Sequence, residues 1–270
     1  MTNKPIVYST PEMREIEPQA NLLYKYLGSD QLVADLYLPT NPSVERHPVV
    51  VFIHGAVPRS VGPKDWAGYV SWGQLIASCG MAAMTFNHSL LWSSGYDPAG
   101  LLSGAADTRD LIRFVRDNSD SFGLDPDRIC LMAFSAGGPL LAAPLAESPS
   151  YLRCVVGYYS YLGEPLPADS HDEGRFSPSN ALRQAGAGAA PLFIAKAGLD
   201  RPEINSSIDH FVDVAHSIGC QIVLADHPTG HHGFDVMDDD NRSRAIIRQS
   251  VEFMKSHLFD RDDRLLGLAK

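Results

Sequence analysis

Ser135 stands in a pentapeptide that is typical of a nucleophilic serine. Residues 133–137 read Ala-Phe-Ser-Ala-Gly, a G-x-S-x-G pattern with alanine in the first small position. The pattern marks a tight turn from a strand into a helix, where larger side chains two before and two after the serine would collide with neighbouring backbone. The turn exposes the serine hydroxyl above the sheet edge, close to amide donors at the helix start. These residues suit attack of Ser135 on a carbonyl carbon.

A second segment fits the same relaxed pattern and has to be told apart by its context. Residues 215–219 place Ser217 at the centre of a small-x-Ser-x-Gly match. Ser135 follows the apolar run Ile129–Phe134 and precedes a Gly- and Ala-rich helix start. Ser217 instead ends a helical pattern, and Gly219 is typical of a helix C-cap. The sequence therefore favours Ser135.

The groups that could assist a serine come later in the chain. Asp200 follows the apolar run Leu192–Ala195, and Glu203 is expected to begin the next helix. Three histidines lie within six residues after Gln221–Ala225, namely His227, His231 and His232. An imidazole can remove the serine proton, and a carboxylate can accept from the imidazole N–H. A metal cluster is another interpretation of the histidines, but no Cys or carboxylate spacing of a recognised metal site accompanies them.

Short apolar runs separated by helical patterns predict the elements that must position these residues. Runs of this kind are typical of strands covered on both faces. They are Val49–Ile53, Ala82–Phe86, Ile129–Phe134, Cys154–Tyr159, Leu192–Ala195 and Gln221–Ala225. Apolar spacing of i, i+3, i+4 predicts helices at Asp107–Asn118, Ile204–Ile218 and Asn241–Leu258. Alternating strands and helices predict a parallel sheet.

The N-terminal part has a different pattern. Asn21–Leu27 and Gln31–Leu38 alternate between apolar and polar residues, and the turn residues 28–30 lie between them. This predicts an antiparallel hairpin at the sheet edge. Further on, Pro144 predicts that the helix after Ser135 is short or bent, because proline removes an intrahelical hydrogen bond. Pro139 is compatible with the first helical turn, where amides lack partners.

Two stretches show no clear periodicity and are predicted to be irregular. Asn87–Ala106 is rich in Ser, Gly and Leu, and Gly163–Ala190 carries prolines and charges and ends in a run of small residues. The second stretch is longer than a usual connection between a helix and a strand, so we expect a lid or a pocket wall there. Its small-residue run, residues 185–190, precedes a strand, whereas a dinucleotide-binding turn must follow one.

At His54-Gly55-Ala56, directly after Val49–Ile53, the chain resembles the α/β-hydrolase superfamily. In that superfamily a His-Gly pair after the third strand opens the oxyanion loop. The resemblance implies that the backbone N–H groups of Ala56 and Ala136 hold the developing oxyanion. The chain departs here from the lipase-like form, which continues with further glycines. His54 itself is expected to hold the loop rather than to take part in catalysis.

The acid and the base are also assigned through this resemblance. The superfamily places its acid after a late strand, which selects Asp200, and the order Ser, Asp, His along the chain agrees with it. The His-Gly-Phe segment 232–234 resembles the base loop of the dienelactone-hydrolase-like and prolyl-oligopeptidase-like branch. That similarity selects His232 as the base, with His231 and His227 as alternatives.

The resemblance covers residues 32–258 and implies the fold and the activity together. The expected architecture is one α/β-hydrolase domain over residues 1–270, a doubly wound and mostly parallel sheet with an antiparallel N-terminal edge and a lid-like insertion at about 163–190. The expected activity is hydrolysis of small carboxylic esters through Ser135, Asp200 and His232 by way of an acyl-enzyme. A peptidase or amidase of the prolyl-oligopeptidase-like branch and a non-catalytic ligand binder are the alternatives. Dienelactone hydrolases use cysteine where this chain has serine.

Composition restricts the partners. The formal net charge is −10, whereas nucleic acid and anionic membrane surfaces require clustered Lys and Arg, so neither is expected as a partner. No apolar run reaches the roughly 18 residues of a membrane span, and no signal-peptide pattern is present, which predicts a cytoplasmic protein. The four cysteines lack C-x-x-C spacing and are expected to be reduced thiols. The expected substrate is a small molecule, with no cofactor and no metal, and a homo-oligomer is compatible with the sequence.

Overall fold

The computed structural model describes residues 3–40, 44–55, 62–90, 96–168 and 170–259. Its strands are β1 (Gln19–Leu27), β2 (Asp30–Tyr37), β3 (His47–Ile53), β4 (Ala82–Phe86), β5 (Leu124–Phe134), β6 (Leu152–Tyr158), β7 (Leu192–Ala197) and β8 (Ile222–His227). Its α-helices are α1 (Ala67–Ser78), α2 (Pro98–Asp117), α3 (Ser119–Phe122), α4 (Ala142–Glu147), α5 (Pro178–Ala185), α6 (Pro202–Ser217), α7 (Phe234–Met237) and α8 (Asn241–Leu258). Short 3-10 helices lie at Pro11–Glu15, Pro63–Asp65, Ser135–Leu141 and Gly186–Gly188.

The strands form one sheet in the order β1-β2-β4-β3-β5-β6-β7-β8. β2 pairs antiparallel with both β1 and β4, and the remaining pairs from β4 to β8 are parallel. The predicted N-terminal hairpin is confirmed, and Gly28 has a φ of +62° in its turn, a conformation that glycine adopts without a Cβ penalty. The mostly parallel sheet with an antiparallel edge is confirmed as well.

Helices cover both faces of the sheet, which explains the continuous apolar runs. All seven residues of β3 are buried. Val49, Val51 and Ile53 pack into the core cluster that contains residues of α2 and α6, whereas Val50 and Phe52 pack into the cluster with α1 and α8. Alternate side chains of a strand point to opposite faces, so a strand between two helical layers has to be apolar throughout.

The prediction of an irregular segment at Asn87–Ala106 is wrong in its second half. Helix α2 begins at Pro98, where the Asp97 side chain caps the helix by accepting from the Gly100 amide at 2.8 Å. Proline at the first helical position and an aspartate N-cap are standard start signals. The glycines of this helix hide its pattern because they lower helix propensity, yet Gly104 allows close packing: a Cβ there would lie 3.0 Å from Leu90 Cβ.

The helical segment after Ser135 is short, as Pro144 predicts. It runs as a 3-10 helix to Leu141 and continues as α4 for six residues. The prediction that the stretch 163–190 is irregular is wrong for residues 178–188, which form α5 and a 3-10 helix. Its described residues Phe176 and Leu182 belong to a core cluster beside the sheet. The single domain and the lid remain predictions.

Candidate active site

Ser135 sits on a strained turn at the C-terminal end of β5. Its φ is +52°, which is uncommon for a residue with a Cβ and is often retained at functional sites. The Ser135 carbonyl accepts from the Tyr161 amide at 2.9 Å, and the turn passes close to neighbouring backbone. A Cβ on Gly137 would lie 2.6 Å from the His54 oxygen, and one on Gly138 would lie 2.0 Å from the Tyr161 oxygen. Only glycine fits at both positions.

The structure brings Ser135, His232 and Asp200 into one hydrogen-bonded chain. Ser135 Oγ lies 2.8 Å from His232 Nε2, and His232 Nδ1 lies 2.6 Å from Asp200 Oδ2. With the proton on Nδ1, the ring donates to the carboxylate and accepts from the serine hydroxyl. The three residues follow β5, β7 and β8, so they meet at the C-terminal edge of parallel strands, where ligands of open α/β sheets bind.

Asp200 is held on a loop that is tied to the histidine loop. Its side chain is 1% exposed, and Oδ1 accepts from the Arg201 amide at 2.7 Å. The Gly198 amide donates to the His227 carbonyl and the Leu199 amide to the Gly230 carbonyl, at 2.8 and 2.9 Å. These contacts fix the spacing between the carboxylate and the imidazole.

The three neighbouring histidines have different surroundings. His227 is buried, with Nε2 3.0 Å from Ser243 Oγ and 3.2 Å from Asp240 Oδ2, so it joins the end of β8 to the start of α8. His231 is exposed, and its ring lies 3.0 Å from Asp238. His232 alone of the three faces Ser135. Gly233 follows with a φ of +81°, which accounts for the glycine in the His-Gly-Phe segment.

The predicted oxyanion donors are described in part. Ala136 is the second residue of the 3-10 helix that Ser135 begins, so its amide has no partner within the first turn. Gly55 lies against this amide: a Cβ on Gly55 would be 3.6 Å from Ala136 N and 3.2 Å from Ser135 Cβ. Ala56 lies outside the described residues.

A stacked pair of histidines supports the loop that carries Gly55. The rings of His54 and His88 are 3.6 Å apart and nearly parallel, and His88 Nε2 lies 3.1 Å from the His54 carbonyl oxygen. His54 Nδ1 lies 2.6 Å from the Gly55 oxygen. Burial lowers the pKa of His88 to about 4 and that of His54 well below its ordinary value. Both rings are therefore neutral near pH 7 and serve to hold the loop.

A cavity of about 240 Å³ opens beside the serine. Its walls are largely aromatic, and they come from α1, the end of β5, the residue after β6 and the histidine loop. The lining residues are Gly55, Pro63, Trp66, Gly68, Tyr69, Trp72, Phe134, Ser135, Tyr159, His232, Gly233, Asp235 and Val236. No described residue of the stretch 163–190 is among them.

Asp235 is a site residue that the sequence did not reveal. It is 1% exposed and accepts from Trp72 Nε1 at 2.8 Å and from the Tyr159 hydroxyl at 2.7 Å. Burial raises the pKa of its carboxyl, although these two hydrogen bonds oppose the shift. One feature of the sequence could have pointed to Asp235: it follows the predicted base, His232, by three residues. Nothing in the sequence showed that Tyr69 and Trp72 of α1 would line the same cavity.

The described residues contain neither a cluster of metal-binding side chains nor a helix that could cross a membrane. No group of three or more His, Cys, Asp or Glu side chains in this part of the chain could hold a metal ion. None of its helices has the length and apolar character needed to cross a membrane. Of the described cysteines, Cys130, Cys154 and Cys220 are buried free thiols and Cys79 is a partly buried one.

Known proteins resemble this chain in both sequence and structure. The family model BD-FAE matches residues 34–148. Isoprenylcysteine α-carbonyl methylesterase ICME of Arabidopsis thaliana is 34% identical over 114 residues, which cover 42% of this chain and 24% of that protein. Para-nitrobenzyl esterase of Bacillus subtilis is 33% identical over 127 residues, covering 44% of this chain and 25% of that protein. The chain thus spans about a quarter of the length of these curated relatives.

The apo form of Thermogutta terrifontis esterase 2 matches over nearly the whole chain. Its TM-score is 0.68 at 21% identity, and the match covers 93% of this chain and 98% of that one. Together with the strand order and the turn at Ser135, this likeness shows that the chain has the α/β-hydrolase fold. The predicted fold class is confirmed, and the dienelactone-hydrolase-like or prolyl-oligopeptidase-like branch remains a prediction.

Proposed function

We propose that this protein is a serine hydrolase that cleaves small carboxylic esters. The observation that carries the proposal is the pair of hydrogen bonds that joins Ser135 to His232 and His232 to Asp200, at 2.8 and 2.6 Å. An ester rather than an amide is favoured because the relatives and the structural neighbour described above are esterases. The matches to the two curated relatives cover about a quarter of each of those proteins.

The proposed reaction begins with proton transfer. His232 Nε2 takes the proton of the Ser135 hydroxyl as Oγ bonds to the ester carbonyl carbon, and Asp200 stabilises the imidazolium. The carbonyl oxygen becomes an oxyanion, held by the amide of Ala136 and, by resemblance, that of Ala56. Each such donor is worth about 10²–10³ in rate. The ester C–O bond then breaks as His232 returns the proton to the leaving alkoxide, which departs as the alcohol.

The second half of the reaction repeats these roles with water. His232 takes a proton from water, the hydroxide oxygen bonds to the acyl carbon, and the bond to Ser135 Oγ breaks as the proton returns to Oγ. A carboxylic acid leaves and the enzyme is restored. The cavity is smaller than the roughly 300–1,000 Å³ of drug-sized ligand sites, which favours short substrate groups beside Ser135.

Hydrolysis of p-nitrophenyl acetate and butyrate by paired serine variants tests the proposal. Ser135→Ala is expected to lower kcat by at least about 10⁴-fold, because loss of a nucleophile removes the effect of the whole triad. Ser217→Ala is the matched control: this serine lies in the second small-x-Ser-x-Gly segment, at the end of α6, and its hydroxyl donates to the Val214 carbonyl. It should retain wild-type turnover. Wild-type turnover by Ser135→Ala would refute the proposed mechanism.

Matched ester and anilide substrates test the bond that is cleaved. The proposal predicts that p-nitrophenyl butyrate has a much higher kcat/KM than butyryl p-nitroanilide. Faster cleavage of the anilide would favour an amidase or peptidase instead. Wild-type protein that cleaves neither substrate and resists fluorophosphonate labelling would favour a non-catalytic ligand binder on the same fold.

A further inference from the structure

We propose that the cavity beside Ser135 binds an organic ammonium group of the ester substrate, with Asp235 as its counter-ion and the aromatic walls as its cage. The inference rests on the proposed esterase function and adds a substrate class to it. The inference starts from the carboxylate of Asp235, which lines a mostly apolar cavity. A cavity that binds only neutral substrate groups would not require a charged residue in its wall.

Asp235 has polar partners but no cationic one among the described residues. Its two hydrogen bonds come from Trp72 and Tyr159, which are both neutral donors. A carboxylate has about four acceptor positions, so the hydrogen bonds from Trp72 and Tyr159 do not saturate it. Burial raises the pKa of this carboxyl, so the ionised form is disfavoured despite its hydrogen bonds. A cationic substrate group nearby would stabilise the ionised form.

Of the Lys and Arg residues, only Lys64 is adjacent in sequence to a described lining residue of the cavity, and its ammonium group is engaged elsewhere. Lys64 follows the lining residue Pro63, yet its ammonium contacts Asp35 at 3.0 Å and Asp65 at 2.6 Å. No Lys or Arg is among the described residues that line the cavity. Among its described lining residues the cavity therefore contains a carboxylate and no group that would repel a cation, apart from the protonated form of His232.

The aromatic side chains provide the second component of a cation site. Trp66, Tyr69, Trp72, Phe134 and Tyr159 all line the cavity. Cations are attracted to the faces of aromatic rings, most strongly to tryptophan and most of all where water is excluded, and carboxylate and rings together are the usual surroundings of a bound ammonium. A volume of about 240 Å³ accommodates a trimethylammonium group or a short aminoalkyl chain.

The opposing explanation is that Asp235 only positions Trp72 and Tyr159. If Asp235 binds an ammonium group, a positively charged ester should be preferred to a neutral ester of the same shape. If Asp235 only positions the two side chains, the charge of the ester should make no difference, so pairs of esters with equal shape distinguish the two explanations. On the alcohol side the pair is butyrylcholine and 3,3-dimethylbutyl butyrate. On the acyl side the pair is the p-nitrophenyl esters of 4-(trimethylammonio)butyrate and 5,5-dimethylhexanoate. Within each pair only the positive charge changes.

The measurement is the ratio of kcat/KM for the cationic ester to that for the neutral ester, taken within each variant so that a general loss of activity cancels. We expect at least one pair to give a ratio of about tenfold or more in the wild type. In Asp235→Asn the amide can still accept from Trp72 and donate to the Tyr159 oxygen but carries no charge, so that ratio should fall to about one. Asp127→Asn removes an exposed charge at the opposite end of β5 and should leave the ratio unchanged.

Binding without turnover gives a second readout. Tryptophan fluorescence titrations should show choline binding at least tenfold tighter than 3,3-dimethylbutan-1-ol, with the difference lost in Asp235→Asn. Ratios of one or less for both ester pairs, or a wild-type ratio that survives Asp235→Asn, would overturn the ammonium site while leaving the esterase function intact. If no ester is cleaved at all, the proposed function fails, and the choline titration alone decides the ammonium site.

Discussion

At the scale of single residues, the candidate site depends on a few conformations and protonation states that neighbouring groups impose. Ser135 is held at positive φ, Gly137 and Gly138 lie where a Cβ would collide with backbone, and His54 and His88 are buried as neutral rings. Each feature costs stability by itself. The surrounding core must offset that cost.

The buried histidine pair predicts an acid-sensitive fold. His88 has a pKa of about 4 when folded and titrates near 6.5 when unfolded. Between these values the unfolded chain binds more protons, so stability falls as the pH is lowered from 6.5 to 4. One such group accounts for about 3 kcal/mol over that interval, at about 1.4 kcal/mol per pH unit. His54 adds to the loss in the same direction.

Urea denaturation at several pH values measures this effect. His88→Gln should show a shallower decline of unfolding free energy between pH 6.5 and 4.5 than the wild type. His216→Gln, at an exposed position on α6, should keep the wild-type slope. Equal slopes for the wild type and His88→Gln would show that His88 is not the group responsible.

At the scale of elements, the sequence predicted strands better than helices. The apolar runs in β3 to β7 reflect strands that are covered on both faces, and all of them were recognised. The run in β8 was recognised too, although Val223 and Leu224 of this edge strand are exposed. The sequence did not predict helix α1 or the first half of α2, because both contain glycines, which lower helix propensity. These glycines permit close packing instead: a Cβ on Gly73 would lie 2.7 Å from the Tyr37 ring. Such contacts between distant segments cannot be seen in local periodicity.

Capping of α2 is the element-scale feature with a direct consequence for the site. Asp97 caps the helix, and the preceding residue, Tyr96, donates its hydroxyl to the Ala136 carbonyl at 3.0 Å. Asp97→Ala should lower the unfolding free energy by about 1 kcal/mol, because the Gly100 amide loses its partner. Asp97→Asn keeps an N-cap oxygen and should stay within a few tenths of a kcal/mol of the wild type. Chemical denaturation compares the two, and equal stability of both variants would contradict the capping role.

At the scale of the whole molecule, Asp235 connects segments that are far apart in sequence. Its backbone carbonyl accepts from the Val7 amide at 2.7 Å, and its carboxylate accepts from Trp72 of α1 and from Tyr159 after β6. The N-terminal segment, α1, the sheet and the histidine loop thus meet at one buried residue. Motif and chain order predicted the candidate catalytic residues, but burial and convergence of this kind emerge only in three dimensions.

Removal of one of these contacts should destabilise the whole fold. Trp72→Phe keeps an aromatic ring but leaves the Asp235 carboxylate with one donor fewer, which should cost about 1–3 kcal/mol. Trp66→Phe is the comparison, because the Trp66 indole is partly exposed and donates to no described residue. Its effect should be smaller. A Trp72→Phe variant as stable as the wild type in urea would contradict the structural importance of this hydrogen bond.

The central claim is that His232 and Asp200 activate Ser135 as a nucleophile. The direct test is to treat this protein with paraoxon and to locate the diethylphosphoryl group by tandem mass spectrometry after digestion. The account predicts modification of Ser135 in the wild type and strongly slowed modification in His232→Ala. A phosphoryl group on another residue, or equal modification rates in the two proteins, would contradict it.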